Sequence, residues 1–267
     1  MRKVGALMRA SWLEATSYRM RTVFSILSMF AAMLPVYYVA RAVQPMVGDA
    51  VEHEGASYFA FIVVGLTVLP FVRTSLSALS GELGSAISTG TLEALLGTPT
   101  RIATLLVGMV GYPFLWAALR SAVVLSLGAA MGVHLLWDRA LVAVAALVLI
   151  VLAHTAAGLV GAAMVVAFRT SGPLETIILW TSSMLGGLYF PTQVIPTWLE
   201  QVSLILPLTY GLRAFRRALL DPDASWALLA PDLLVLAAGG VVGLAIGLCA
   251  FSAALRYARR AGTLAQY

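Results

Sequence analysis

Side chains able to do chemistry are few in this sequence and lie far apart. His53 falls in a loop, His134 at a span end and His154 in a helix, with no metal-ligand spacing among them. An intramembrane protease or acyltransferase needs a convergent set of side chains, so neither catalytic residues nor a metal site is expected. Lys3 is the single lysine and has no glycine-rich turn before it. A nucleotide-binding P-loop needs a lysine after that turn to reach the β- and γ-phosphates, so energy from ATP must come through a partner. Cys249, the one cysteine, is expected to be a small packing residue. Two arginines, Arg73 and Arg120, interrupt apolar runs, where burying a charge costs at least a few kcal/mol. Arg73 sits near a span end and is expected to snorkel. Arg120 is deeper and should face a solvated pathway or pair with a carboxylate such as Glu175. Glu175 follows Pro173 at a helix start, where a negative charge is favoured. For His154 an interhelical hydrogen bond is expected.

The elements that carry these residues are apolar. The chain has 267 residues, 61% hydrophobic and 11% charged, against roughly half and a quarter in soluble proteins. Mean hydropathy is +0.93. A polytopic, all-α membrane protein follows, because a spanning helix needs about 20 apolar residues and irregular backbone cannot face lipid. Six segments qualify: 22–40, 58–79, 102–133, 140–168, 174–190 and 233–255. The third exceeds a simple span, and Gly111 with Pro113 offers it a kink. Ala40-Arg41-Ala42 imitates a signal-peptide cleavage site, but the residues before it are too many and the apolar run too long for cleavage.

Basic residues set the direction. With the N-terminus inside, Arg2, Lys3, Arg9, Arg19, Arg21, Arg101, Arg169, Arg256, Arg259 and Arg260 are cytoplasmic. Arg41, Arg139, Arg213, Arg216 and Arg217 fall outside. Both termini are therefore placed in the cytoplasm. Residues 2–21, with Val4, Leu7, Met8 and Trp12 on one face, suit a helix lying along the interface or a basic flank of the first span. Small residues at fourfold spacing, Gly239-Gly243-Gly247 and Gly128-Gly132, mark expected close helix packing.

Two loops are distinctive. Between spans two and three, about residues 90–98, Thr91 can cap a short helix on which Leu92, Leu95 and Leu96 form an apolar face. Gly97 and Pro99 end it. Such a short helix persists only when that face is docked. After span five come Gly187-Leu188-Tyr189-Phe190-Pro191, then Ile195-Pro196, then Pro207-Leu208-Thr209-Tyr210 and Arg216. The apolar stretches between these prolines, within 196–220, are too short to cross a bilayer and suit two re-entrant helices.

With these loops in this order, the sequence resembles the ABC-2 class of ABC-transporter permeases over almost its whole length, as a single transmembrane domain covering 1–267. The resemblance implies that Thr91, Leu92, Glu93, Leu95 and Leu96 form a coupling helix seated in a separate ATPase subunit, with Glu93 as its ion-pairing residue. It also implies that Tyr189, Phe190, Pro191, Pro196, Pro207, Tyr210 and Arg216 form the signature loop. The run Arg213-Ala214-Phe215-Arg216-Arg217 leaves open which arginine plays the signature part. Spans two and five would line a translocation path, making Trp180, Thr181, Ser182 and Met184 substrate-path candidates; Arg120, mid-way along span three, is a further candidate by its depth.

The expected function is the permease subunit of an ATP-driven exporter in a prokaryotic cytoplasmic membrane. It would pair with a second permease, identical or homologous, and with an ABC ATPase that binds ATP and Mg. The cargo would be an amphipathic or hydrophobic solute of drug or antibiotic type, with glycolipid or polysaccharide export as the alternative. An ion-coupled secondary transporter would want intramembrane acids, and spans one, two, four and six have none.

Overall fold

The computed structural model describes residues 19–51, 57–91, 102–168, 170 and 172–260. Among them the chain is helical, with eight α-helices and no strands. These are α1 (Arg19–Val51), α2 (Tyr58–Ser88), α3 (Ile102–Ala130), α4 (Ala140–Phe168), α5 (Gly172–Leu185), α6 (Thr197–Ser203), α7 (Pro207–Leu220) and α8 (Trp226–Arg260). Short 3₁₀ turns lie at Trp137–Arg139 and Thr192–Val194. Residues 2–18 of the expected interface helix and 92–98 of the expected coupling helix lie outside the described residues.

Among the described residues five helices are long and apolar enough to cross a membrane: α1, α2, α3, α4 and α8. The expected span at 140–168 coincides with α4. Others are longer than hydropathy indicates, with α1 continuing past 40 to Val51, α2 past 79 to Ser88, and α8 running from 226 to 260. Backbone hydrogen bonding does not stop where lipid does, so these helices extend into polar flanking sequence. The segment 174–190 differs in kind. Its helix, α5, has 14 residues, about 21 Å of rise against a ~30 Å hydrocarbon core. Gly186 and Gly187 end it, Gly187 with φ +82°. The third segment likewise stops at Ala130, before Gly132 with φ +101°.

Two helices organise the packing. α2 lies against α1, α3, α4, α5 and α7, and α4 against α8, α2, α7 and α5. The residues from Phe59 to Val64 on α2 are buried consecutively, as befits a helix that is apolar all round and enclosed by neighbours. By contrast α1, α3 and α8 expose large apolar side chains such as Phe24, Phe30, Leu115, Leu119, Val241 and Ile246. A soluble chain cannot leave so much apolar surface open, and a lipid-facing one must.

The small-residue expectation holds in part. An added Cβ at Gly128 would collide with Val63 Cγ1, and one at Gly247 would fall 2.6 Å from the Ala156 carbonyl. Gly243 is close to Ala156 as well. Gly239 and Gly132 have nothing within 4 Å among the described residues, so neither is a packing position there. Gly239 lies on a face of α8 turned away from α4, and Gly132 serves a turn. Cys249 also departs from expectation, being exposed on α8 instead of packed.

Candidate functional site

The loop after α5 is built by residues that forbid helix continuation. Gly187 takes a left-handed conformation. Pro191 is buried, and Pro196 precedes the first turn of α6. Pro207 opens α7, where a missing N–H is harmless. The start of α7 is then stitched to the end of α6. Thr209 Oγ1 donates to the Ser203 carbonyl at 2.6 Å and Tyr210 Oη to the Leu204 carbonyl at 2.8 Å.

Arg216 locks this loop to the bundle. It is 1% exposed and ranks among the largest fully buried side chains. Its Nε donates to the Phe61 carbonyl at 3.1 Å, one terminal nitrogen to Gly187 at 2.7 Å, and the other to Leu188 at 2.9 Å. The guanidinium lies 3.4 Å from the centroid of the Phe61 ring. A planar cation with a fixed fork of donors suits this arrangement, stacked on a ring face and bonded at its edges. The space exists because position 65 is glycine. A Cβ there would meet an Arg216 terminal nitrogen at 2.7 Å and the Leu188 carbonyl at 2.9 Å.

Two neighbours extend the lock. Tyr58 Oη donates to the Tyr189 carbonyl at 2.9 Å, and the Tyr58 backbone N–H donates to Gln44 Oε1 of α1 at 2.6 Å. Thus α1, α2, the 187–191 loop and α7 meet at one end of the bundle. Phe190 is half-buried beside Pro191 in this turn.

The three clustered arginines do different jobs. Arg213 and Arg217 turn to the other side of α7 and reach Asp232 of α8 at 3.6 and 3.4 Å. Arg139, from the turn before α4, donates to the carbonyls of Asp221 and Pro222 at 3.0 and 2.9 Å. Arg216 therefore leaves the count of outward flanking charges, since it is interior. The signal was present in sequence: Arg216 stands one turn from Leu212 on the apolar face of α7, whereas Arg213 and Arg217 share a different face. Phe61, Gly65 and Tyr58, the counterparts of Arg216 and Tyr189, carried no such mark, because they come from an unbroken apolar run.

At the other end of α2, Gly90 has φ +68° and Thr91 closes the helix. The Thr91 hydroxyl donates to the Ala86 carbonyl at 3.3 Å and shares a hydrogen bond with Thr89 Oγ1 at 2.9 Å. Leu92, Glu93, Leu95 and Leu96 lie outside the described residues.

The substrate-path candidates do not share one surface. Trp180 is 59% exposed and Ser182 is 2% exposed, on opposed faces of α5, with Thr181 and Met184 half-buried between them. α5 packs on α2, α4, α6 and α7, whereas Arg120 lies on α3 beside α1. One Arg120 terminal nitrogen donates to Ser25 Oγ at 3.1 Å, and the guanidinium carbon stands 5.4 Å from the Trp116 ring centroid. Arg120 makes no ion pair with Glu175. That carboxylate instead abuts Gly161 of α4, and its Oε1 is buried without a hydrogen-bond partner among the described residues. His154 also differs from expectation. Its Nδ1 pairs with the Ile150 carbonyl of its own helix at 2.8 Å, and Nε2 has no partner among the described residues.

No group of three or more metal-ligating side chains occurs among the described residues. An apolar groove of about 210 Å³ opens between α2, α3, α4 and α7, lined by Phe71, Leu125, Leu147 and Phe215 among others. It offers no polar constellation for chemistry. The model of one known family, described as ABC-2 type transporter, matches residues 2–220. No curated protein matches the chain.

Proposed function

The chain belongs to the ABC-2 type transporter family and is a membrane permease of an ABC transporter; from that premise we propose that it is the pathway-forming subunit of an exporter for amphipathic or hydrophobic solutes. Two permeases, identical or homologous, enclose the path between them. A separate ABC ATPase binds ATP and Mg and drives alternate opening. The chain supplies no catalytic group of its own; its part is mechanical.

The observation that carries this reading is the continuity of α2. This 31-residue helix is about 46 Å long and is fixed to the signature loop by Arg216 near one end. Its other end, at Ser88–Thr91, hands over directly to the segment proposed as the coupling helix. A displacement of Leu92, Glu93, Leu95 and Leu96 by the ATPase would pass along α2 to Phe61. There the stack and hydrogen bonds of Arg216 carry it into the loop and α7. Packed helices transmit such motion because their interfaces shift between discrete arrangements and do not deform smoothly. Pro70 removes one backbone donor from the middle of α2 and gives the rod a place to bend.

The test is co-purification of the chain with an ABC ATPase and measurement of hydrolysis and export together. We expect Leu92→Asp and Glu93→Arg to leave membrane insertion intact while export is lost. Hydrolysis should no longer respond to the permease. Export at wild-type rates in both variants, or transport by the purified chain alone on a proton gradient, would overturn the reading.

A further inference from the structure

Consecutive helices joined by a short turn ordinarily lie against each other. α3 and α4 do not: each packs on α2, and neither runs along the other. The turn between them is drawn sideways onto α7. Leu136 N–H donates to the Leu219 carbonyl at 2.9 Å, and Arg139 holds the Asp221 and Pro222 carbonyls. α4 therefore starts away from the end of α3, and the groove of about 210 Å³ opens in the gap. Its floor is Phe71 of α2 with Phe215 and Leu219 of α7. Its walls are small, Ala118 and Ala122 on α3 and Ala140 and Ala143 on α4. Small residues on membrane helices normally let a neighbouring helix approach. Here, among the described residues, no helix enters the space they leave.

Size and polarity decide what can fill it. The walls run from Ala118 to Leu125 and from Ala140 to Leu147, about 10 Å of rise each and a third of the ~30 Å hydrocarbon core. A helix, itself about 10 Å across, is too wide to enter and could only lie over the mouth. Water is no better suited. The Ser121 hydroxyl donates to the Thr67 carbonyl at 2.5 Å, and Thr67 Oγ1 donates to the Val63 carbonyl at 2.9 Å. The hydroxyls of the lining are thus already used, whereas a buried water needs about two to four polar partners. Trp137 is exposed at the end beside the turn, where an indole suits the level of lipid headgroups.

We propose that this groove is a binding site for one acyl chain of a membrane lipid, entering from the leaflet at the turn between α3 and α4. The chain lies on Phe71, Phe215 and Leu219 between the alanine walls, and the headgroup stays beside Trp137. With the N-terminus inside, this is the outer leaflet. Phe215 and Leu219 belong to the helix that carries Arg216, so the bound chain braces the lock from outside. The site requires only that the protein spans a membrane and does not depend on the exporter reading.

The test uses the full chain in a sterol-based detergent, which brings no acyl chain of its own, with no ATPase added. Phosphatidylcholine brominated on its acyl chains is added in small increments. Quenching assigned to Trp137 is read as the difference between wild type and Trp137→Phe. It should saturate at about one lipid per chain, as a single groove of this volume requires. Ala118→Leu/Ala122→Leu fills the groove from its α3 wall and should need about tenfold more lipid for half of the quenching, since the chain loses its contacts. Unlabelled phosphatidylglycerol should compete as well as unlabelled phosphatidylcholine, because the groove meets the chain and not the headgroup. Quenching of wild type that rises without saturating needs no variant to fold, and it overturns the proposal. So does unchanged affinity in a filled variant that keeps its helical circular dichroism. A wild-type dimer that blocks quenching and dissociates in the filled variant gives the groove to a second copy and overturns it too.

Discussion

Replacing Arg216 tests the architecture most directly, because its three bonded carbonyls come from two separate segments. In Arg216→Ala the Gly187 and Leu188 carbonyls lose their buried donor, at about 1–3 kcal/mol each. The Phe61 carbonyl lies inside α2, keeps a helical donor, and is left out of the reckoning. Loss of the desolvated stack on Phe61 adds about 2 kcal/mol. Against this, a buried guanidinium no longer has to be desolvated, which returns part of the loss. A net destabilisation of about 3–5 kcal/mol is expected from these terms, the partners left behind being neutral carbonyls. Arg216→Lys separates charge from shape. An ammonium cannot lie flat on Phe61 while serving two divergent carbonyls, so lysine should recover little of the loss. The assay is equilibrium unfolding in mixed micelles followed by tryptophan fluorescence, with Arg213→Ala and Arg217→Ala as internal standards. Those two side chains are partly exposed and share Asp232, so each should cost at most about 1 kcal/mol. If Arg216→Ala falls within that same range, or Arg216→Lys equals wild type, the reasoning about a buried lock is wrong.

Other outcomes follow from the same geometry. Gly65→Ala should destabilise by about 1–3 kcal/mol, since its Cβ collides with Arg216 and Leu188, whereas Gly239→Ala should be neutral or stabilising; the same unfolding assay compares them. Gly187→Ala, forced to φ +82°, should cost about 1–3 kcal/mol and expose the 187–191 turn to limited proteolysis. Tyr58→Phe removes one hydrogen bond to the Tyr189 carbonyl and should cost about 0.5–1.5 kcal/mol, with faster amide exchange in the loop.

Hydropathy alone made the protein a helical membrane chain, because lipid offers no hydrogen bonds and forces each segment to satisfy its own backbone. It also located α4 to the residue, since turn residues bound that run on both sides. The proline spacing of the signature loop announced α6 and α7, whose first turns tolerate a missing donor. Helix ends were less legible. In α1, α2 and α8 polar residues enter the sequence well before backbone hydrogen bonding stops, while in α5 two glycines stop the helix inside an apolar run. What only the tertiary structure decided is which side of each helix meets a neighbour. Arg216 became the lock and not Arg213 or Arg217, because α7 turns that face toward α2 and leaves the other two toward Asp232. Gly247 became a contact and Gly239 did not, because only one stripe of α8 faces α4. Arg120 meets Ser25, 95 residues away, rather than Glu175. No periodicity within one helix encodes such a pairing; it arises from the relative rotation of helices packed against one another.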